Sequence, residues 1–348
     1  MWYTPNQQLT YNRIYNFVVG VRGGGKTFNT LLHAIRRFEK TGEQFIYLRR
    51  RGVDLDDACH RKEGGDLFSD IRHKGYFKDA ELKVVADKSG GYNFYYNDQI
   101  MGYGKALSTA RRSTSLPLVK LIIFDEFLID DSNPHDRYLN KGNEMFTFHN
   151  FYETIARGRD IPVFFLGNAF SMVNPYFIEL GINQAIKEPD SNKIYKGKFW
   201  TVLFWKGEDY VESRKQTQSY QATIGTSFNE HAFNNNFYLD RKDFIKKRSK
   251  DSEHHFSLVY LGKTYGVWVD WDKGEYYVST KGANTSRDKT ISLSLADNKP
   301  NNVSIRRYRN MPFMKAFRMA VDSNSVYFDS QETYNRMNEV VYLLKTIT

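Results

Sequence analysis

Four short apolar runs set the rhythm of the first half of the chain: Phe17-Val18-Val19, Phe45-Ile46-Tyr47-Leu48, Leu118 to Phe124, and Val163-Phe164-Phe165-Leu166. Each is bounded by polar residues or glycine and separated from the next by helix-compatible stretches. That is the pattern of strands buried on both faces of a parallel sheet with crossovers. A fifth run, Phe199 to Trp205, is a further strand candidate. Between the second and third runs, Lys83-Val84-Val85, Tyr92 to Tyr96 and Gln99-Ile100-Met101 are separated by Ser89-Gly90-Gly91 and Asn97-Asp98, so an insertion of antiparallel hairpins is predicted. From Gly207 to Asn236 the aliphatic residues give way to Gln, Ser, Thr, Asn and Gly, which predicts a linker over 207–235. Beyond it, Asp240 to Lys250 reads as a short basic helix. Phe256 to Tyr260, Thr264 to Val269 and Glu275 to Val278 then read as a three-stranded meander, with turns at Leu261-Gly262-Lys263 and Asp270 to Gly274. Tyr334 to Leu344 has helical potential. The expected fold class is α/β: a mainly parallel sheet domain over 1–206 and a small α+β domain over 236–348.

A length of 348 residues exceeds what one hydrophobic core usually serves, which agrees with two domains. The net charge is +10 and 16% of residues are aromatic, so an acidic partner is expected, nucleic acid before membrane. No apolar run approaches the roughly eighteen residues of a membrane span, and Met1 to Pro5 lacks the charged and apolar regions of an export signal. A soluble protein acting in the cytoplasm is therefore expected. The single cysteine, Cys59, excludes an internal disulfide and a cysteine-based zinc cage. His254-His255 is the one close histidine pair, and neighbours in a strand point to opposite faces, so both are read as structural.

The chemistry is concentrated in Gly20-Val21-Arg22-Gly23-Gly24-Gly25-Lys26-Thr27, a complete G-x-x-x-x-G-K-[ST] phosphate loop placed between an apolar strand and a helix over about Lys26 to Glu39. Its glycines permit a nest of backbone N–H groups around phosphates, Lys26 reaches the β and γ oxygens, and the Thr27 hydroxyl ligates magnesium. Arg22 touches phosphate or points to solvent. ATP with Mg2+ is the expected cofactor pair. Leu121-Ile122-Ile123-Phe124-Asp125-Glu126 supplies the second element: Asp125 completes the metal site, and Glu126, directly after it, is placed to polarise a water, which is a hydrolase arrangement. Three basic clusters remain: Arg49-Arg50-Arg51 at the end of a predicted strand, Arg111-Arg112, and Lys246-Lys247-Arg248. DNA, RNA, nucleotide state and a neighbouring subunit are all open readings for them, beside a solvated face.

The order of these motifs, together with Leu9 to Ile14, Gly42 to Arg50, Phe124 to Phe127, Gly167-Asn168-Ala169, Val173 to Phe177, Lys247 to Ser252 and Gly266 to Asp270, resembles the genome-packaging ATPases of Picovirinae-type small tailed phages over nearly the whole chain. The resemblance implies an additional-strand, conserved-glutamate (ASCE) ATPase domain joined to a domain with a ribonuclease H-like fold. It implies a homo-oligomeric ring, generally pentameric, that docks on the portal of a prohead in the host cytoplasm, pumps double-stranded DNA and engages a phage structural RNA. It also implies that Glu126 is the catalytic base, that Asn168 senses the γ-phosphate, and that Arg157 or Arg159 is an arginine finger, with Arg157 favoured. Phe256 to Tyr260 carries no carboxylate, so the second domain is expected to be a non-cleaving scaffold. Another nucleic-acid-dependent ring ATPase and a nucleotide-switched binding module are the competing readings.

Overall fold

The computed structural model describes residues 2–60, 65–112, 114–129, 137–139, 144–168, 174–186, 189–222, 244–308, 310–323, 325–334, 336–337 and 340. The chain divides into two units, Met1–Leu239 and Asp240–Thr348.

In the first unit the predicted runs form β1 (Tyr15–Gly20), β2 (Gln44–Arg49), β6 (Val119–Asp125), β7 (Val163–Gly167) and β9 (Trp200–Trp205). The hairpin segment forms β3 (Leu82–Asp87), β4 (Gly91–Tyr96) and β5 (Gln99–Ala106), and a short β8 (Ile194–Lys196) lies against β9. The sheet order is β3-β4-β5-β2-β6-β7-β1-β9-β8. Neighbours from β5 through β9 are parallel, while β3, β4 and β8 join antiparallel at the two edges. The insertion thus extends the main sheet through β5, whose Phe45↔Gly102 register brings backbone so close that a Cβ at Gly102 would sit 2.6 Å from the Phe45 carbonyl. One strand, β7, stands between the phosphate-loop strand β1 and the carboxylate-bearing strand β6.

Strand residues alternate between two cores, as a pleated sheet covered on both faces requires. Phe17, Phe124 and Phe165 join one core, which the helix Glu144–Ala156 covers with Phe148, Phe151, Tyr152 and Ile155. Val18, Ile123 and Leu166 join the other, covered by the helix Lys26–Thr41 through Leu31, Ala34, Ile35 and Phe38, spaced as one helical stripe. The expected linker is corrected at its start: 208–215 and 218–221 form helices, and Val211 is buried in the first unit's core. Residues 223–243 lie outside the described residues.

The second unit contains the expected meander as β10 (Glu253–Tyr260), β11 (Lys263–Asp270) and β12 (Glu275–Ser279), and adds β13 (Thr290–Ser292), β14 (Val303–Ser304) and β15 (Val326–Phe328). Their order is β14-β13-β10-β11-β12-β15, with β13 parallel to β10, β14 parallel to β13 and β15 parallel to β12. The helix Pro312–Asp322 buries Met314, Phe317 and Ala320 against this sheet's core. Of the expected basic helix, 240–243 lie outside the described residues, and the rest is corrected. Ile245 bridges Phe328 and the Lys246 N–H donates to the Phe328 carbonyl, which takes backbone bonds a helix would use at these two positions, and Lys246 to Ser249 are not helical.

Candidate nucleotide site

β1, β2, β6 and β7 end along one edge of the first sheet, the edge where parallel sheets take their ligands. After β1 the loop turns into the helix Lys26–Thr41 with Gly25 at φ 83°, a left-handed conformation that suits glycine. Gly24 lies so close to the Trp205 ring that a Cβ there would approach it to 1.9 Å. The Lys26 ammonium donates to the carbonyls of Gly20 (3.0 Å) and Val21 (2.7 Å) and to Asn168 Oδ1 (3.3 Å). Burial, partly offset by the Asp125 carboxylate, brings its pKa down to about 8. Asn168, directly after β7, thus meets the loop lysine.

Thr27 and Asp125, 98 residues apart in sequence, are joined directly: Thr27 Oγ1 donates to the two carboxylate oxygens at 3.0 and 3.1 Å. Two hard oxygen donors so placed would suit a magnesium ion. The Tyr47 hydroxyl, which the sequence reading missed inside an apolar run, donates to Asp125 Oδ2 at 2.9 Å and fixes that carboxylate from below. Glu126 follows at φ 54°, a strained setting for a side-chain-bearing residue, and its carboxylate is half-exposed at the cavity.

The arginine triplet separates into three roles. Arg49 points into the site, ion-paired with Glu126 and 3.6 Å from Asp125. Arg50 is corrected from a DNA candidate to a buried brace. Its Nε donates to both Glu144 oxygens (3.1 and 2.8 Å), and its remaining nitrogens grip the carbonyls of Glu126 (3.3 Å) and Phe127. Tyr176 donates to the same Glu144 at 2.6 Å, so this network ties the backbone of the proposed base to the helix Glu144–Ala156. Arg51 starts the helix Gly52–Cys59, its N–H held by Asp54, and its side chain donates to the Arg137 carbonyl at 3.1 Å.

Arg159 is corrected as well. Its guanidinium donates five bonds of 2.6 to 3.0 Å to the carbonyls of Leu116, Pro117, Val119, Ile155 and Ala156, which uses every donor it has. It staples the end of the helix Glu144–Ala156 to the start of β6. Arg157, exposed and at φ 46°, has no side-chain bond among the described residues. It lies by the starts of β6 and β7, and since β6 has 7 residues, about 20 Å separates that edge from the phosphate loop. The side chains of Arg111 and Arg112 lie outside the described residues.

In the second unit Lys246 is ion-paired with Glu275 at 2.7 Å, Arg248 lies over the Trp268 ring at 4.4 Å, and Lys247 is exposed. β10 begins earlier than expected, at an exposed Glu253, while Ser257 occupies its buried middle. Asp270 ends β11 instead of opening a turn, and hydrogen bonds from Lys273 and Ser249 hold its pKa down at about 2. Among the described residues no group of three or more His, Cys, Asp or Glu is placed to hold a metal ion, and no helix is long and apolar enough to cross a membrane.

Residues 1–346 match the family model of the podovirus DNA encapsidation protein (Gp16). The chain is 33% identical to the DNA packaging protein of Bacillus phage phi29 over 341 residues, 96% of this chain and 95% of that one. It is also 33% identical to the DNA packaging protein of Bacillus phage B103, over 93% of this chain and 95% of that one. Among solved structures it is similar to the bacteriophage Phi-29 viral genome packaging motor assembly, with a TM-score of 0.68, 32% identity and 99% of both chains covered. The Phi-28 gp11 DNA packaging motor, at 23% identity over 99% of this chain and 98% of that one, shares the fold with a TM-score of 0.63. With the family model spanning both units and the phosphate loop facing the β6 carboxylates, the chain belongs to the podovirus DNA encapsidation protein (Gp16) family.

Proposed function

We propose that this chain hydrolyses ATP to drive double-stranded DNA into a prohead, working as one subunit of a ring. The observation that carries the reading is the meeting of Lys26, Thr27, Asp125, Glu126 and Asn168 at one sheet edge, in a chain of a DNA-encapsidation family. Magnesium-bound ATP supplies the transferable phosphoryl group. The loop N–H groups and Lys26 would bind its phosphates, and Thr27 and Asp125 would hold the metal. Glu126 accepts a proton from the attacking water, and Arg49 orients that carboxylate. Arg157, at the far edge from its own loop, acts on the site of a neighbouring subunit. Such a finger contributes roughly 1,000 to 100,000-fold to turnover.

The second unit, in this reading, is a ribonuclease H-like scaffold for DNA, portal or a phage structural RNA. Its strand order supports this: an antiparallel meander, extended beside its first strand by two parallel strands. The division of labour follows, with the ATPase in the first unit and partner docking in the second.

Steady-state ATP hydrolysis tests the assignment. Glu126→Gln retains ATP binding and loses at least about a hundredfold in turnover, the scale of a removed general base. Near-normal turnover in that variant refutes it.

A further inference from the structure

The cavity over the phosphate loop encloses about 430 Å³ and has two chemically different sides. Asp125, Glu126 and Asn168 line it beside Lys26 and Thr27. Trp2, Phe28, Lys74 and Tyr76 line it beside Gly25 and the first turn of the following helix. Trp2 and Tyr76 are 53% and 36% exposed, and both line this cavity.

We infer that this second side is a nucleobase subsite, in which the base of the bound nucleotide stacks on the Trp2 and Tyr76 rings; the inference rests on the nucleotide reading above and extends it to the base. The rings are already held in place by neighbours. Trp2 lies against the loop backbone, where a Cβ on Gly25 would be 3.0 Å from its ring, and it also meets the Tyr210 ring, with centroids 5.4 Å apart. Phe28 meets Tyr76 edge-on at 5.8 Å, and the Lys74 ammonium sits 4.3 Å from the Phe28 centroid and 5.5 Å from that of Trp2. Arg36 lies over Tyr76 at 5.6 Å. Aromatic faces fixed beside a phosphate-binding loop suit a flat, π-rich group attached to phosphates, and a ring that is held beforehand loses little freedom on binding. Phe28 follows the metal-site Thr27 directly, so loop and stacking surface are covalent neighbours.

Equilibrium binding of Mg-ADP and of Mg-pyrophosphate to the full-length protein separates the two sides. Stacking of one base accounts for roughly 5- to 150-fold in affinity. Trp2→Ala, and Trp2→Ala combined with Tyr76→Ala, therefore weaken ADP by an amount in that range and leave pyrophosphate within about twofold, while Trp2→Phe restores ADP. Unchanged ADP affinity in the double variant overturns the subsite. An equal loss for ADP and pyrophosphate also overturns it, since Trp2 would then merely prop the loop. Wild-type protein that binds neither probe overturns the nucleotide site itself, and the subsite with it.

Discussion

Glu126 combines a strained backbone with a half-exposed carboxylate, and two arginines share the task of keeping it there: Arg49 holds the side chain and Arg50 the carbonyl. Arg49→Ala retains ATP affinity within a few-fold but lowers kcat by at least about tenfold, because a misaligned base loses the orientation on which rate depends; an unchanged kcat would remove Arg49 from the site. Lys26→Ala acts at an earlier step, weakening ATP binding itself, and an unaltered dissociation constant would contradict its phosphate role. The residues with a fixed spacing rule, Gly20 to Thr27 and the Asp125-Glu126 pair, were legible without coordinates. Tyr47, Glu144 and Trp2 were not. Each reaches its role through a contact dozens of residues away, and nothing local marks a tyrosine inside an apolar run or a tryptophan at position 2 as part of a site.

At the scale of elements, the helix Glu144–Ala156 links the two readings of its terminal arginines. Arg159→Met leaves several carbonyls without their donor and costs roughly 2–4 kcal/mol of stability, visible as a lowered Tm of the whole protein. Arg157→Ala leaves the Tm unchanged. It removes ring hydrolysis, and mixing these subunits with Glu126→Gln subunits restores part of it, where an intact finger meets an intact base. Full activity of an Arg157→Ala protein, or of a dilute monomer, would defeat the trans assignment. Apolar runs located β1, β2, β6, β7 and β9 to within two residues at each end, since strands buried on both faces are apolar throughout. The same reasoning failed for 207–222 and 246–249. Short polar helices lack a periodic apolar stripe, and a basic segment carries no sign that its backbone will pair with a strand some eighty residues onward.

For the whole molecule, the net charge of +10 underlies the nucleic-acid partners proposed above. If the second unit is the proposed scaffold for nucleic acid, it grips phosphates, and the affinity of the isolated segment from about Asn236 is expected to fall steeply with salt as counterions are released. With magnesium or manganese it does not cut DNA or RNA; cleavage that disappears when Asp270 and Asp272 are changed to Asn would reveal a working nuclease. Length pointed to two units, but the composition change near Gly207 did not mark their division, which falls after Leu239, and β13, β14 and β15, of three, two and three residues, are too short to leave a pattern. The central claim is that ATP hydrolysis at Glu126 drives DNA into a prohead. The direct measurement is the fraction of double-stranded DNA protected from nuclease after incubation with proheads and ATP, comparing wild-type protein with Glu126→Gln. Protection that requires wild-type protein, ATP and proheads together, and is absent with Glu126→Gln, is the expected result; equal protection with the variant would contradict the account.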